Sequence, residues 1–155
     1  MNQRLSLILI LLLFCSCVEK KDSKVCNITE INSTGKLKLG DSIPPFSGYT
    51  GNGYYFSTIS LTKKSLFLFF NNSDSCLLNN EISIDNIGNL AQEKDIDILF
   101  ISEMKIAKIY GIEYTKRPEN KMKHSILFII DSQKRIRKIF KDVCVEDIIN
   151  LLNTY

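Results

Sequence analysis

Three short apolar runs constrain this chain more than anything else in it: Ser65–Phe70, Ile96–Ser102 and Ser125–Ile130. Each is too short for a core helix. Each also carries apolar residues at nearly consecutive positions, the pattern of a strand buried on both faces. Strands of that kind need helices packed on either side of their sheet. The intervening segments supply them. Leu78, Ile82, Ile87, Leu90 and Ala91 recur at helical spacing, so Leu77–Glu93 reads as an amphipathic helix, weakened at its middle by Gly88. Glu103–Tyr110 reads as a short helix stopped by Gly111, the residue type favoured just past a helix end. The third run leads into a turn at Asp131-Ser132-Gln133-Lys134, a fourth strand over Ile136–Phe140 and a last helix over about Val143–Asn153. The order βαβα followed by ββα predicts an α/β domain whose central mixed sheet has a parallel core, an antiparallel edge and flanking helices.

Upstream of the first run, Lys36-Leu37-Lys38-Leu39 alternates, and Pro44 and Pro45 hold the next stretch extended. Thr50-Gly51-Asn52-Gly53 is a turn signal between Phe46 and Tyr54-Tyr55-Phe56, which predicts an N-terminal hairpin. Farther back the chain changes character. Leu5–Phe14 is apolar except for Ser6, follows Arg4 and ends in Cys15-Ser16-Cys17. About ten apolar residues fall short of the ~20 that span a bilayer as a helix, and the run ends in small residues, as a secretory leader does. Phe14-Cys15-Ser16-Cys17 resembles a bacterial lipobox, with Ser16 as the small residue before an acylated Cys17. An ordinary secretory signal or an uncleaved anchor is the alternative. The organisation expected is a leader over residues 1–16, a polar tether over 17–34 and one domain over 35–155. Acyl chains on Cys17 would anchor the protein to a membrane of the bacterial cell envelope, where disulfides are permitted.

Composition removes several functions. The chain has 20 Lys and Arg against 17 Asp and Glu, a net charge of +3, too small and too dispersed for a nucleic-acid surface. A single His and no cysteine pair at ligand spacing argue against a metal site, and no flavin or nicotinamide signature is visible, so no cofactor is expected. Of the five cysteines, Cys15 leaves with the leader and Cys17 is lipidated, which leaves Cys26, Cys76 and Cys144 as thiols.

The element order and four local motifs together resemble the thioredoxin fold and, within it, the redoxin group of peroxiredoxins and membrane-tethered thiol-disulfide oxidoreductases. Leu39-Gly40-Asp41-x-x-Pro44-x-Phe46 is similar to their opening segment. Ala107-Lys108-Ile109-Tyr110-Gly111-Ile112 resembles their Tyr-Gly helix end, and Phe128-Ile129-Ile130-Asp131 with Ile136 and Phe140 their final hairpin. The likeness covers about Leu37–Leu152. Both groups place a cysteine where the first long central strand passes into its helix, and here that stretch reads Ser73-Asp74-Ser75-Cys76. A helix N-terminus favours a thiolate, the species that attacks a disulfide or a peroxide oxygen.

The resemblance implies that Cys76 is the nucleophile, that Ser73 is a hydrogen-bond donor to substrate and that Cys144 resolves the oxidised Cys76, with electrons coming from an external thiol donor. Taken as C-x-x-C, Ser73-x-x-Cys76 has Ser in place of the first cysteine. Taken as a peroxiredoxin site, Ser73 stands for a Thr three residues before the peroxidatic cysteine. The chain departs from both patterns. No Arg occupies the activating position, for which Arg117 or Arg135 would have to substitute, and His124-Ser125 stands where thioredoxins carry a cis-proline. His124 is a candidate base for Cys76 or a solvent-facing residue, and Ser73 a substrate ligand or a helix cap. Beside the thiol-redox function stands a non-catalytic module of the same fold that binds another envelope protein.

Overall fold

The computed structural model describes residues 28–49, 55–70, 81–115 and 121–155, with the backbone alone over 81–85. Ser73, Cys76, Cys17, Cys26 and Arg117 lie outside the described residues. In chain order the elements are β1 (Thr29–Ile31), β2 (Ser47–Tyr49), β3 (Tyr55–Ser57), a 3-10 turn (Thr58–Ser60), β4 (Ser65–Phe69), α1 (Glu81–Glu93), β5 (Asp97–Ile101), α2 (Met104–Ile109), β6 (Ile126–Ile130), β7 (Ile136–Lys141) and α3 (Val145–Asn153). Five strands form one sheet in the order β1-β7-β6-β4-β5, and β2 and β3 form a separate hairpin. β4 runs parallel to β5, while the pairings β4–β6, β6–β7 and β7–β1 are antiparallel. This is the expected βαβα-ββα core. No helix of the described residues is long and apolar enough to cross a membrane.

All five residues of β4, and all five of β6, are buried, because each face of the sheet has its own cover. Phe67, Phe69 and Phe128 point to the face carrying α2 and the β2–β3 hairpin. Leu66, Leu68 and Leu127 point to the other, against Ile87 and Ala91 of α1 and Ile148 and Leu152 of α3. The result is three layers.

Tyr110, fully buried at the end of α2, packs edge-to-face on Phe46, Phe67 and Phe128 at centroid distances of 5.6, 6.1 and 5.3 Å. Its hydroxyl donates to Pro44 O at 3.4 Å. Burial pushes the phenol far above its ordinary pKa, so it is a neutral core group.

The N-terminal boundary differs from the sequence expectation. Thr29–Ile31, which composition places in the polar tether, pairs with β7 as a sheet strand: Thr29 opposite Lys141, Ile31 opposite Ile139. The chain then stays beside β7. Gly40 N–H donates to Ile136 O and Ile136 N–H to Asp41 O, and Ser42 bridges to Arg135. Residues 29–43 thus form an arm that covers the edge of β7, and the alternating Lys36–Leu39 stretch makes no strand, only an isolated bridge from Lys38 to Ser33.

Candidate functional site

The pairing register brings distant parts of the chain to one end of the sheet. At that end Phe69 of β4 faces Ile101 and Ile126, Ile126 faces Lys141, and Lys141 faces Thr29. The C-terminal ends of β4, β5 and β7 therefore meet the N-terminal ends of β6 and β1. The chain leaves β4 here for the segment that holds Ser73 and Cys76 before α1.

The described part of this end is a clamp between the start of β6 and the end of β7. Asp142 takes a left-handed conformation, φ +58°, which Asp tolerates better than most residues. That turn swings the chain from β7 into α3. The Asp142 N–H donates to Ser125 O at 2.9 Å, and the buried Ser125 hydroxyl donates to Val143 O at 3.0 Å. The same turn sets the Asp142 carboxylate against His124, with Nδ1 to Oδ1 at 2.8 Å. In the neutral imidazole this fixes the proton on Nδ1 and leaves the Nε2 lone pair to accept another. His124, rather than standing alone in solvent, is a half-buried ring oriented by a carboxylate.

Cys144 sits at the same end, as the N-cap of α3. Asp147 reaches back to it, its Oδ2 lying 3.0 Å from the Cys144 N–H and 2.8 Å from Sγ. A carboxylate that close accepts the thiol proton and opposes a thiolate, so the helix N-terminus does not by itself turn Cys144 into a nucleophile.

The arginine positions resolve one expectation. Arg135 lies in the β6–β7 turn, at the opposite end of the sheet, where its guanidinium donates to Gly40 O at 3.1 Å. It does not reach the end where β4 finishes. Arg137 is held by Asp131, Nε to Oδ2 at 2.6 Å. Basic charge near the clamp comes from lysines instead: Lys123 pairs with Glu113 at 2.8 Å, and Lys141 ends β7. Sequence reasoning singled out His124 and Cys144 but missed Asp142 and Asp147.

No protein-family model matches the chain, and no curated protein matches it in sequence. Solved structures do match in shape. A peroxidoxin from Mycobacterium tuberculosis aligns over 76% of this chain and 95% of its own, at 10% identity and a TM-score of 0.60. The mitochondrial 2-Cys peroxiredoxin of Plasmodium falciparum aligns over 75% and 92%, at 14% identity and a TM-score of 0.55. The thioredoxin domain of a thiol-disulfide oxidoreductase from Bacteroides vulgatus aligns over 76% and 97%, at 15% identity and a TM-score of 0.51. At such identities the likeness is one of architecture, and it agrees with the strand order above: the chain has a thioredoxin-like fold, the fold shared by peroxiredoxins and thioredoxin-family oxidoreductases.

Proposed function

We propose that the protein is a thiol-based redox protein of the bacterial envelope, anchored through a lipidated Cys17, with Cys76 as its nucleophile. The observation that carries this is topological. Cys76 falls in the segment between β4 and α1, the place where the resembling families hold their reactive cysteine, and that segment leaves the sheet beside the His124–Asp142 clamp. The support for the anchor is the apolar run Leu5–Phe14 ending at Ser16-Cys17.

In the peroxide reaction the Cys76 thiolate attacks one peroxide oxygen. The S–O bond forms as the O–O bond breaks, and water or an alcohol leaves with the transferred proton. A second thiol, Cys144 or an external donor, then attacks the sulfenic sulfur, forming a disulfide and releasing water. Two electrons from the external thiol restore the dithiol. In disulfide exchange the same thiolate attacks a protein disulfide and displaces one of its sulfurs. His124 would take up and return the proton at Nε2, and Ser73 would donate a hydrogen bond to the oxygen under attack.

Two observations favour a second reading, a module of this fold that binds an envelope partner without redox chemistry. Arg135 and Arg137 are both engaged near the β6–β7 turn, and the Cys144 thiol is engaged with Asp147. The deciding experiment exposes the reduced full chain to stoichiometric hydrogen peroxide and follows each cysteine by mass spectrometry, beside a Cys76→Ser variant. Rapid, selective oxidation of Cys76, with a Cys76–Cys144 disulfide appearing afterwards, is the expected result. Slow and equal oxidation of all thiols would sink the redox reading and leave the binding module.

A further inference from the structure

Of the six large apolar side chains that stand exposed among the described residues, four lie on one layer, that of the β2–β3 hairpin and α2: Tyr49, Tyr55, Ile59 and Ile109. Strand alternation explains the two tyrosines. Gly48 is paired with Phe56; Phe56 packs on the core, and a Cβ on Gly48 would stand 3.2 Å from Ile106 Cδ1. The next pair, Tyr49 with Tyr55, therefore takes the solvent side. Each ring is 66% exposed, and the two meet edge-to-face at 5.6 Å. No charged residue occurs from Ser42 to Thr62, although 24% of the chain is charged, so the hairpin offers water nothing but small polar groups and these rings.

α2 supplies the charge. Lys105, Lys108 and Ile109 share its exposed side. Lys36 Nζ donates to Lys108 O at 2.9 Å, which holds a third ammonium over the end of the helix. None of these lysines is in an ion pair among the described residues. Within 42–62 and 103–110 the one acid is Glu103, at the start of α2 beside Gly48. The layer thus sets three ammonium groups against one carboxylate, around exposed tyrosine and isoleucine tips. An exposed apolar patch rimmed by lysines suits a lipid headgroup region, where tyrosine rings settle at the interface and lysines reach the phosphates.

We propose that the outer surface of this layer docks on anionic lipid headgroups, with Tyr49, Tyr55 and Ile109 entering the interface and Lys36, Lys105 and Lys108 meeting the phosphates. The inference rests on the lipidated Cys17 of the reading above for its local concentration. Residues 18–28 separate Cys17 from β1 and reach at most ~40 Å when fully extended, about the width of a domain of this size. A tether that short keeps the bilayer at a high effective concentration, so a face of weak affinity is enough.

The test uses the absence of Trp from the chain. Tyr55→Trp in the lipidated full chain places the sole indole on the proposed face, and Tyr155→Trp places it beyond α3, on the opposite layer. Each chain is mixed with vesicles of phosphatidylcholine, or of phosphatidylcholine with phosphatidylglycerol, that carry acyl chains brominated near the headgroup. Phosphatidylglycerol should increase quenching of the indole at 55 and leave that at 155 unchanged, and raised ionic strength should reverse the effect. Combining Lys36→Gln, Lys105→Gln and Lys108→Gln should lower the ratio of docked to undocked chain about a hundredfold, at about fivefold per lysine. In the unmutated chain, headgroup spin labels in nanodiscs of the anionic mixture should broaden the Ile109 methyl signals, which decides the matter even where a variant fails to fold. Sedimentation with the neutral vesicles reads the anchor separately. A chain that sediments with them yet shows no dependence on phosphatidylglycerol at position 55 or Ile109 keeps its anchor and overturns the docking. A chain left in solution by neutral vesicles but quenched at 55 by anionic ones loses the anchor and keeps the docking face.

Discussion

Gly111 is where the N-terminal arm meets the core, and replacing it with alanine tests that contact. Its φ is +76°, and a Cβ there would stand 2.8 Å from Thr34 Oγ1, 2.9 Å from Lys36 Cβ and 3.1 Å from Thr34 O. Two costs separate. Holding an L-residue in the left-handed region costs about 1–2 kcal/mol, offset by about 0.4–1 kcal/mol of lost freedom in the unfolded chain. Crowding adds about 1–3 kcal/mol, as overpacking does elsewhere. Relief is difficult, because Thr34 Oγ1 is held by its 2.6 Å hydrogen bond to Tyr110 O and the third contact is backbone. Gly111→Ala should therefore cost about 2–4 kcal/mol, read as a lower urea midpoint at unchanged slope. Gly111→Asn apportions the loss, since Asn tolerates the left-handed region yet keeps the Cβ; it should recover about 1 kcal/mol and no more. Amide protection in β1 should fall in both variants as the arm is pushed away. An alanine variant within about 0.5 kcal/mol of the parent, or full recovery in the Asn variant, would refute the argument that the arm is packed on this turn.

Four further outcomes follow from other positions. Gly88 lies inside α1, and a Cβ added there would meet nothing within 4 Å, so Gly88→Ala should stabilise by about 0.5–1 kcal/mol in urea; destabilisation would mean a neighbour crowds that face. The Tyr114 hydroxyl is buried and finds no hydrogen-bond partner among the described residues, so Tyr114→Phe should be neutral or stabilising by up to about 1 kcal/mol, and a clear drop in melting temperature would reveal a partner. Asp147→Asn should speed alkylation of Cys144 by iodoacetamide near neutral pH, because the carboxylate that opposes its thiolate is gone; an unchanged rate would contradict that role. Burial pushes the Asp131 carboxyl up, but the Arg135 and Gln133 N–H groups and the Arg137 guanidinium together hold it below its ordinary range. Its stabilisation is thus complete above about pH 4 and fades as pH falls through the depressed value, so Asp131→Asn should flatten that part of the acid-unfolding curve.

The sheet's centre was readable because burial on both faces leaves an unmistakable pattern: β4, β5 and β6 lie within a residue or two of the apolar runs, and Gly111 marks the end of α2 by its left-handed backbone. β1 was not readable. Thr29-Glu30-Ile31 is three residues with one apolar side chain, and what makes it a strand is the free edge of β7, a tertiary fact. The site divides in the same way. Asp142 was recoverable in principle, since two strands joined by a short turn bring the residues just before the first beside those just after the second: Ile126 pairs with Lys141, so Ser125 falls opposite Asp142 and His124 next to it. That reasoning also sends Arg135 to the far end. The Asp147 contact has a local signature, an acid three residues past the cap of a helix, though with cysteine where serine or threonine is usual.

The register explains why chemistry gathers at one end of this sheet and not the other. β4 and β5 point the same way and β6 the opposite way, so the turn between β6 and β7 lies far from the exit of β4. The groups held at that turn, Arg135 on Gly40 and Asp131 on Arg137, tie down the hairpin and the arm. The exit of β4 instead faces the beginning of β6 and the end of β7, where a hydrogen bond from Ser125 and a left-handed Asp142 replace the regular ladder. His124 belongs to both features of that end: its Nδ1 is bound to Asp142, and its ring lines a cavity beside Lys141.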